Sequence, residues 1–259
     1  VTPIPIVLYG ASGRMGRAVR ASIVEFPETR LTLCVARTAP DARGESDFPW
    51  MTPDELVARG AQAAPADAVV IDVSLAAGTA PLLDWLEASP RALVSATTGV
   101  GTDEERRIEA LARRAPVLRS MNLSLGSAAA CAMFRALPEG AREAFEIDVV
   151  EHHHAAKRDA PSGTARLWAS HLAPSADAVD AHPDVTRPRA PGTVRLHSIR
   201  SGTVPGTHRA ILAGAGETLE IVHTVTDRAV FARGAIRAAR FLAGKPPGLY
   251  TLEQMLEHP

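Results

Sequence analysis

The sequence predicts an α/β chain: a doubly wound parallel sheet, then a second, α+β domain whose sheet is mixed or antiparallel. Three observations predict it. An apolar run, a glycine-rich turn and an amphipathic stretch open the chain. Strand and helix signals then alternate to about residue 125, and beyond that strand signals cluster with few helices between them.

Ile4, Ile6, Val7, Leu8 and Tyr9 form the first strand signal, and Gly10-Ala11-Ser12-Gly13-Arg14-Met15-Gly16 follows it directly. A helix-compatible stretch then runs through Ala18, Val19, Ala21, Ile23 and Val24. Strand, glycine-rich turn and helix are the parts of a Rossmann-type unit, in which the glycines let the backbone approach a pyrophosphate held at the helix start. The spacing is GxxGxxG, one residue longer than the commonest fingerprint. The next strand, Leu31 to Ala36, ends where an adenosine ribose would lie. An acidic residue there would bond the 2′-hydroxyl of NADH, but the chain has Ala36 and then Arg37. With no carboxylate to repel a 2′-phosphate and a guanidinium to grip one, NADPH is expected to be accepted well, beside or ahead of NADH. The competing reading makes Arg37 an ordinary exposed loop arginine.

Thr52-Pro53-Asp54-Glu55 has capping-box spacing with proline at the first helical position, and Gly60 is placed to end that helix. Ala68-Val69-Val70-Ile71 is too apolar for a strand with one wet face and suits a parallel strand buried on both. Ala92 to Ser95 leads into Ala96-Thr97-Thr98-Gly99, and Val117-Leu118 leads into Ser120-Met121-Asn122-Leu123. Both are strand-end loops on the edge where an open α/β sheet binds its ligand. Their small polar residues could touch a nicotinamide ribose and carboxamide, or simply cap loops. Thr102-Asp103-Glu104-Glu105 repeats the capping pattern ahead of Ile108 and Leu111.

Past residue 125, Ser127 to Leu137 reads as helix, 145–151 as strand, 163–172 as helix and Pro174 to Pro191 as a proline-rich loop. Strand signals follow at Val194–Arg200, His208–Ala213 and Leu219–Thr226, and a strong helical pattern at Ala229–Ala243 returns the chain to the first domain. The densest chemistry lies between Glu151 and Ala165: His152-His153-His154, Lys157, Asp159, then Pro161-Ser162-Gly163-Thr164. Alternation from Phe145 to Val150 predicts a strand that delivers the histidines at its end. Pro161 blocks continuation, and Ser162 is placed as N-cap of the next helix. The open amides of that helix's first turn would face whatever the histidines and Lys157 face, which suits a carboxylate or phosphate. A metal site lacks the i, i+4 histidine pair or a nearby cysteine. Lys157 could instead pair with Asp159 at the surface.

Composition narrows the class. A chain of 259 residues can hold two modest cores, and 28 basic against 29 acidic residues leave a net charge of −1. No bias toward nucleic acid or a membrane surface follows from that balance. Cys34 and Cys131 fall in a predicted strand and a predicted helix, as reduced core residues of a cytoplasmic protein do. No apolar span reaches membrane length, and the N-terminus lacks a signal-peptide layout.

On these residues the chain resembles the dihydrodipicolinate reductase family. Gly10 to Gly16 matches at the start and Glu151 through Ala165 matches the family's HHxxKxDAPSGTA signature. Phe231-Ala232-Arg233-Gly234-Ala235 and Gly248-Leu249-Tyr250 match near the end. The resemblance implies NADPH- or NADH-dependent reduction of (hydroxy-)dihydrodipicolinate to tetrahydrodipicolinate on the diaminopimelate route to lysine. It implies His153 as proton donor and Lys157 as a second catalytic group, with His154, Gly163 and Thr164 on the carboxylates of a small dicarboxylate. The turn Gly10, Ala11, Ser12, Gly13, Arg14, Met15 and the loops Ala96-Thr97-Thr98 and Ser120-Met121-Asn122-Leu123 would line the nicotinamide cofactor. It further implies a cofactor domain of residues 1–125 and 227–259, a substrate and oligomerisation domain of residues 126–226, a homotetramer, and no metal.

Four departures stand out. Ala96 replaces a usual glycine, Ser120-Met121 replaces Ala-Pro, Thr207 interrupts the usual Gly-Glu-His, and Ala36 replaces a frequent acidic residue. The first two bear on the nicotinamide pocket, the third on the second domain's sheet or interface, the fourth on NADPH. Rival readings are a related nicotinamide-dependent reductase of another small carboxylate and a non-catalytic NAD(P)-binding regulator, for which a retained proton donor has no use. A metal-dependent hydrolase would leave residues 4–16 unexplained. Domain closure is expected, with hinges near 123–126 and 226–229.

Overall fold

The computed structural model describes residues 2–38, 48–173, 175–190 and 192–257. By its internal contacts the chain divides into two compact units, Val1–Leu123 with Ala229–Pro259, and Ser124–Arg228. Pro174 and Pro191, the ends of the expected proline-rich loop, lie outside the described residues.

The first unit is built on a parallel sheet. Its strands, numbered along the whole chain, are β1 (Ile4–Tyr9), β2 (Thr29–Val35), β3 (Trp50–Met51), β4 (Val69–Asp72), β5 (Ala92–Ser95), β6 (Pro116–Arg119) and β12 (Gly248–Tyr250). They lie in the order β12-β6-β5-β4-β1-β2-β3, every pair parallel. The chain leaves β1 in one direction to β2 and returns on its other side at β4. That reversal is a switch point, where the diverging strand-to-helix loops of an open sheet leave a crevice for a ligand. Parallel strands buried on both faces need apolar residues at every position, and Ile6, Val7, Leu8, Val69, Val70 and Ile71 are all fully buried. Helices α2 (Pro53–Arg59), α3 (Thr79–Ala88) and α4 (Thr102–Leu111) pack in series, while α1 (Arg14–Ser22) packs on α8 (Ala229–Leu242), which also lies against β4, β5 and β6. The late helix thus returns to the first unit, as its apolar pattern requires.

The second unit contains α5 (Leu125–Ala136), α6 (Glu139–Ala144), β7 (Glu146–His153), α7 (Gly163–Leu172), β8 (Val179–Asp180), β9 (Val194–Arg200), β10 (Gly206–Gly214) and β11 (Glu217–Val225). Its sheet runs β11-β10-β7-β9-β8, with β10 antiparallel to β7 and β11, and β7, β9 and β8 parallel, so it is mixed. Helices α5 and α7 pack on each other, and Phe134, Trp168, Val149, Leu196 and Leu212 form the core beside them. Phe134 and Trp168 meet edge to face with ring centroids 5.1 Å apart, a geometry worth about 1 kcal/mol beyond area burial.

Several local expectations needed correction. Thr102 does not cap α4: Gly101 is the N-cap, without a side-chain bond, and Thr102 begins the helix. Thr52 by contrast forms the full capping box with Glu55 ahead of α2. The 145–151 strand runs on through His153, so the second histidine is a strand residue with a dictated facing. The stretch read as loop after α7 carries the short strand β8, and α3, α6, β3, β12 and α9 (Leu252–Glu257) have no counterpart in the sequence reading. Short elements bury too few residues to show a period.

Candidate active site

The first unit gathers the expected cofactor residues at the carboxyl ends of its strands. Gly10 follows β1 at φ +86°, and a Cβ there would lie 2.8 Å from the Ser74 backbone after β4. A Cβ on Gly16 would lie 2.3 Å from the Gly10 carbonyl oxygen, so the turn folds against the helix it starts. Gly13 is the N-cap of α1, and neither a side-chain cap nor an acidic residue occupies the first turn. Open amides, the positive end of the helix dipole and a bare backbone cradle fit a pyrophosphate. Ser12, Gly13 and Arg14 are exposed and Met15 is half-buried, whereas Ala11 is fully buried and can meet a ligand only through its backbone. Arg37 is exposed just past β2.

Two loops complete that edge. After β5, Thr97 is buried and donates its hydroxyl to Asp72 Oδ2 at 2.9 Å, while the Ser74 amide donates to Asp72 Oδ1 at 3.0 Å. Burial pushes the Asp72 carboxyl up, against the pull of these hydrogen bonds and of Arg119. Asp72 therefore pins two strand-end loops together, and the Thr97 hydroxyl hydrogen is already committed; Ala96 is half-buried and Thr98 exposed beside it. After β6, Ser120 Oγ donates to the Asn122 carbonyl at 2.7 Å, making a local turn with Met121 exposed at its tip. Asn122 and Leu123 are buried, and the Leu123 carbonyl sits where a Cβ on Gly234 would be.

In the second unit the side-chain period of a strand does the positioning. Glu151 and His153, two residues apart on β7, share the buried face, while His152 points the other way and meets Ser201 Oγ at 2.8 Å. Glu151 is fully buried. Its Oε2 bonds His153 Nδ1, and its Oε1 accepts from Arg200 Nη2 at 2.6 Å and from the Ser162 amide at 3.2 Å. Burial alone would raise the Glu151 carboxyl; the bonds from His153, Arg200 and Ser198 together outweigh it and hold the group well below the usual carboxylate range. Glu151 is thus a buried, paired anion.

That anion ties three elements together. Ser162 is the N-cap of α7, and its Oγ accepts from the Ala165 amide at 3.2 Å and meets His208 Nε2 at 3.1 Å. Arg200, beside His153 across the β7–β9 pairing, also donates to the Asp159 carbonyl at 2.5 Å. Lys157 Nζ is 2.7 Å from both carboxylate oxygens of Asp159, so the surface pairing weighed from sequence is present. His154 is half-buried after the strand, and Gly163 and Thr164 open α7. One hydrogen-bonded network therefore links His153, Glu151, the start of α7, Arg200, Asp159 and Lys157. Glu151, Arg200 and His208 were not assigned from sequence; the i, i+2 alternation on β7 was the available signal for Glu151, whereas Arg200 and His208 arrive from β9 and β10 and needed the sheet.

Glu151, His153 and His208 offer possible ligand atoms within 4.8 Å of one another. Their donors are engaged: the carboxylate holds an imidazole and a guanidinium, and His208 Nε2 meets Ser162. A resident arginine cation on the same carboxylate is poor company for a second cation.

The comparisons agree along the whole chain. The family described as "Dihydrodipicolinate reductase, N-terminus" matches residues 4–123, and "Dihydrodipicolinate reductase, C-terminus" matches 127–256. A 4-hydroxy-tetrahydrodipicolinate reductase of Stenotrophomonas maltophilia (strain K279a) is 37% identical over 260 residues, 99% of each chain. One from Caldanaerobacter subterraneus subsp. tengcongensis is 35% identical over 98% of each. Among solved structures, a dipicolinate-bound dihydrodipicolinate reductase from Paenisporosarcina sp. TG-14 superposes with TM-score 0.76 at 17% identity, over 98% of this chain and 99% of that one. Matched in both units by family descriptions and end to end by relatives above 30% identity, the chain belongs to the dihydrodipicolinate reductase family.

Proposed function

We propose that the protein is an NAD(P)H-dependent oxidoreductase that reduces (hydroxy-)dihydrodipicolinate to tetrahydrodipicolinate on the diaminopimelate route to lysine. Full-length kinship with reductases of that name supports the reaction class. The observation that carries the residue assignments is the single network from His153 through Glu151 to the α7 start and, by Arg200 and Asp159, to Lys157.

In this reading the amides of Gly163 and Thr164, the Thr164 hydroxyl and His154 hold the substrate's carboxylates at the helix start. Lys157 attracts the dianion and stabilises negative charge as it develops, exchanging Asp159 for a substrate carboxylate. Gly10 to Met15 hold the cofactor's pyrophosphate, Ala11 through its backbone, and Arg37 takes a 2′-phosphate, which makes NADPH a good cofactor. Ala96, Thr97, Thr98 and Ser120 to Leu123 line the nicotinamide side. The nicotinamide, when bound, supplies the hydride. His153 gives a proton to the substrate where electron density accumulates, since imidazole changes protonation near neutral pH at small cost.

We assign a homotetramer formed through the second unit's sheet, where Ile199, Leu219 and Val222 are large, apolar and exposed. Light scattering on the purified protein should give four times the chain mass. The cytoplasm is the proposed compartment: both cysteines are free and buried. No helix among the described residues is long and apolar enough to cross a membrane.

The test is loss of NADPH and NADH absorbance on adding substrate freshly made from pyruvate and aspartate semialdehyde by the preceding synthase. Turnover with NADPH at least as good as NADH, collapsing in Lys157→Ala, is expected. Cofactor binding without turnover by either would overturn the reductase reading.

A further inference from the structure

We propose that Glu151 is a positioning residue for His153: its buried carboxylate accepts a hydrogen bond from Nδ1–H, presents Nε2 as the proton-donating atom, and stabilises the imidazolium that must form in each cycle. The proposal rests on the reading of His153 as the acid of the reductase. Four observations carry it.

The first is facing. Glu151 and His153 lie on the same side of β7 by strand alternation, and the carboxylate bonds Nδ1 rather than Nε2. The bond made by one ring nitrogen decides the role of the other, so a carboxylate on Nδ1 leaves Nε2 to carry the transferable proton. The second is clearance at Nε2. A Cβ on Gly206 would come within 3.0 Å of that atom, so a side chain there would crowd the donating side of the ring.

The third is the set of charges around the imidazole. From its own strand His153 meets the Glu151 anion, from β9 Arg200 neutralises that anion, and from β10 the His208 ring lies edge-on with centroids 5.1 Å apart. Lys157 and Asp159, in the loop that follows, form an ion pair of their own. Glu151 and Arg200 cancel, so an imidazolium leaves one net positive charge, whereas a neutral residue at 151 would leave two cations side by side. The fourth is that His208 does not compete for the proton, because its Nε2 is already hydrogen-bonded to the Ser162 hydroxyl, 3.1 Å away, in a buried setting. Buried histidine-orienting carboxylates of this kind recur wherever an imidazole shuttles protons, and the neutral amide leaves geometry intact while disabling the tautomer.

Two measurements test the proposal. In wild-type protein labelled with 15N-histidine, with His153 identified by the signals lost in His153→Gln, the neutral ring should carry its proton on Nδ1; an Nε2–H tautomer would overturn the proposal. In kinetics, Glu151→Gln should lower kcat by about 100-fold or more with little change in substrate KM. Its alkaline limb of kcat/KM should move to lower pH, because the anion beside the ring is gone. Glu151→Asp, which keeps the charge, should recover part of kcat and most of the pH profile. A Gln variant with unchanged pH profile and kcat, or an Asp variant no better than Gln, would show a purely structural carboxylate. Should Glu151→Gln fail to fold, the wild-type tautomer decides alone. Wild type with the Nδ1–H tautomer but no turnover would remove the reductase reading and leave the pair standing; turnover with an Nε2–H ring would do the reverse.

Discussion

Ser162 Oγ lies 3.1 Å from His208 Nε2 while accepting the Ala165 amide that it caps. The hydroxyl keeps one proton and a second lone pair while it accepts that amide, so the Ser162–His208 bond is compatible with either ring tautomer. His208 is neutral in the fold, and its Nδ1 is buried with no partner among the described residues. Burial first, then the nearby His153, pushes the group down to about 3.

A pH dependence of stability follows. The unfolded chain takes up a proton at His208 near its ordinary 6.5, which the folded chain refuses until about 3. Unfolding thus binds protons, so this contribution is fully present above about 6.5 and is lost as pH falls from there toward 3. His223, also lowered by burial, acts in the same direction. Glu151, ordinarily 4.5, adds its loss only below that value, so the upper window belongs to the two histidines. Urea denaturation at pH 7.5, 6.5 and 5.5 should show stability falling by up to ~1.4 kcal/mol per pH unit on account of His208, and His208→Gln should flatten the slope.

Glycine contacts give a second prediction. A Cβ on Gly234 would sit 1.7 Å from the Leu123 carbonyl oxygen, and one on Gly16 would sit 2.3 Å from that of Gly10. Backbone atoms cannot step aside as a side-chain tip can, so Gly234→Ala and Gly16→Ala should each destabilise by about 3 kcal/mol or more. Thermal melts read this, and Gly16→Ala should also abolish the fluorescence change on adding NADPH.

Arg37 provides a test of cofactor choice. A charge-assisted bond to a 2′-phosphate is worth about 1.5–3 kcal/mol, so Arg37→Ser should raise the KM for NADPH about tenfold or more and leave that for NADH within about twofold. Equal effects on both cofactors would assign Arg37 to the loop surface.

Two threonines that look alike in sequence should behave differently. Thr52 accepts the Glu55 amide at 3.2 Å as a true cap, so Thr52→Ala should cost about 1 kcal/mol. Thr102 is the first helical residue of α4 behind a glycine cap, and Thr102→Ala should be close to neutral in denaturant titrations.

Sequence by itself determined the chain's class. Period, glycine placement and capping chemistry are local, and they mark β1 with its turn, the buried run at β4, the Thr52 cap, the Ser162 cap and α8 without reference to any contact. The signature from Glu151 to Ala165 likewise marked where the chemistry lies. Tertiary structure decided what those residues meet. Glu151 reads in sequence as one acidic residue of a strand, and only the sheet brings Arg200 and His208 from strands about 50 residues away to complete its surroundings. Lys157 found Asp159, Thr97 found Asp72, and Ala11 and Leu123 turned inward to pack. The physical reason is the range of the forces involved: a backbone preference is settled within a turn of chain, whereas a buried charge is settled by whichever polar groups the fold carries to it, since leaving it unpaired would cost several kcal/mol.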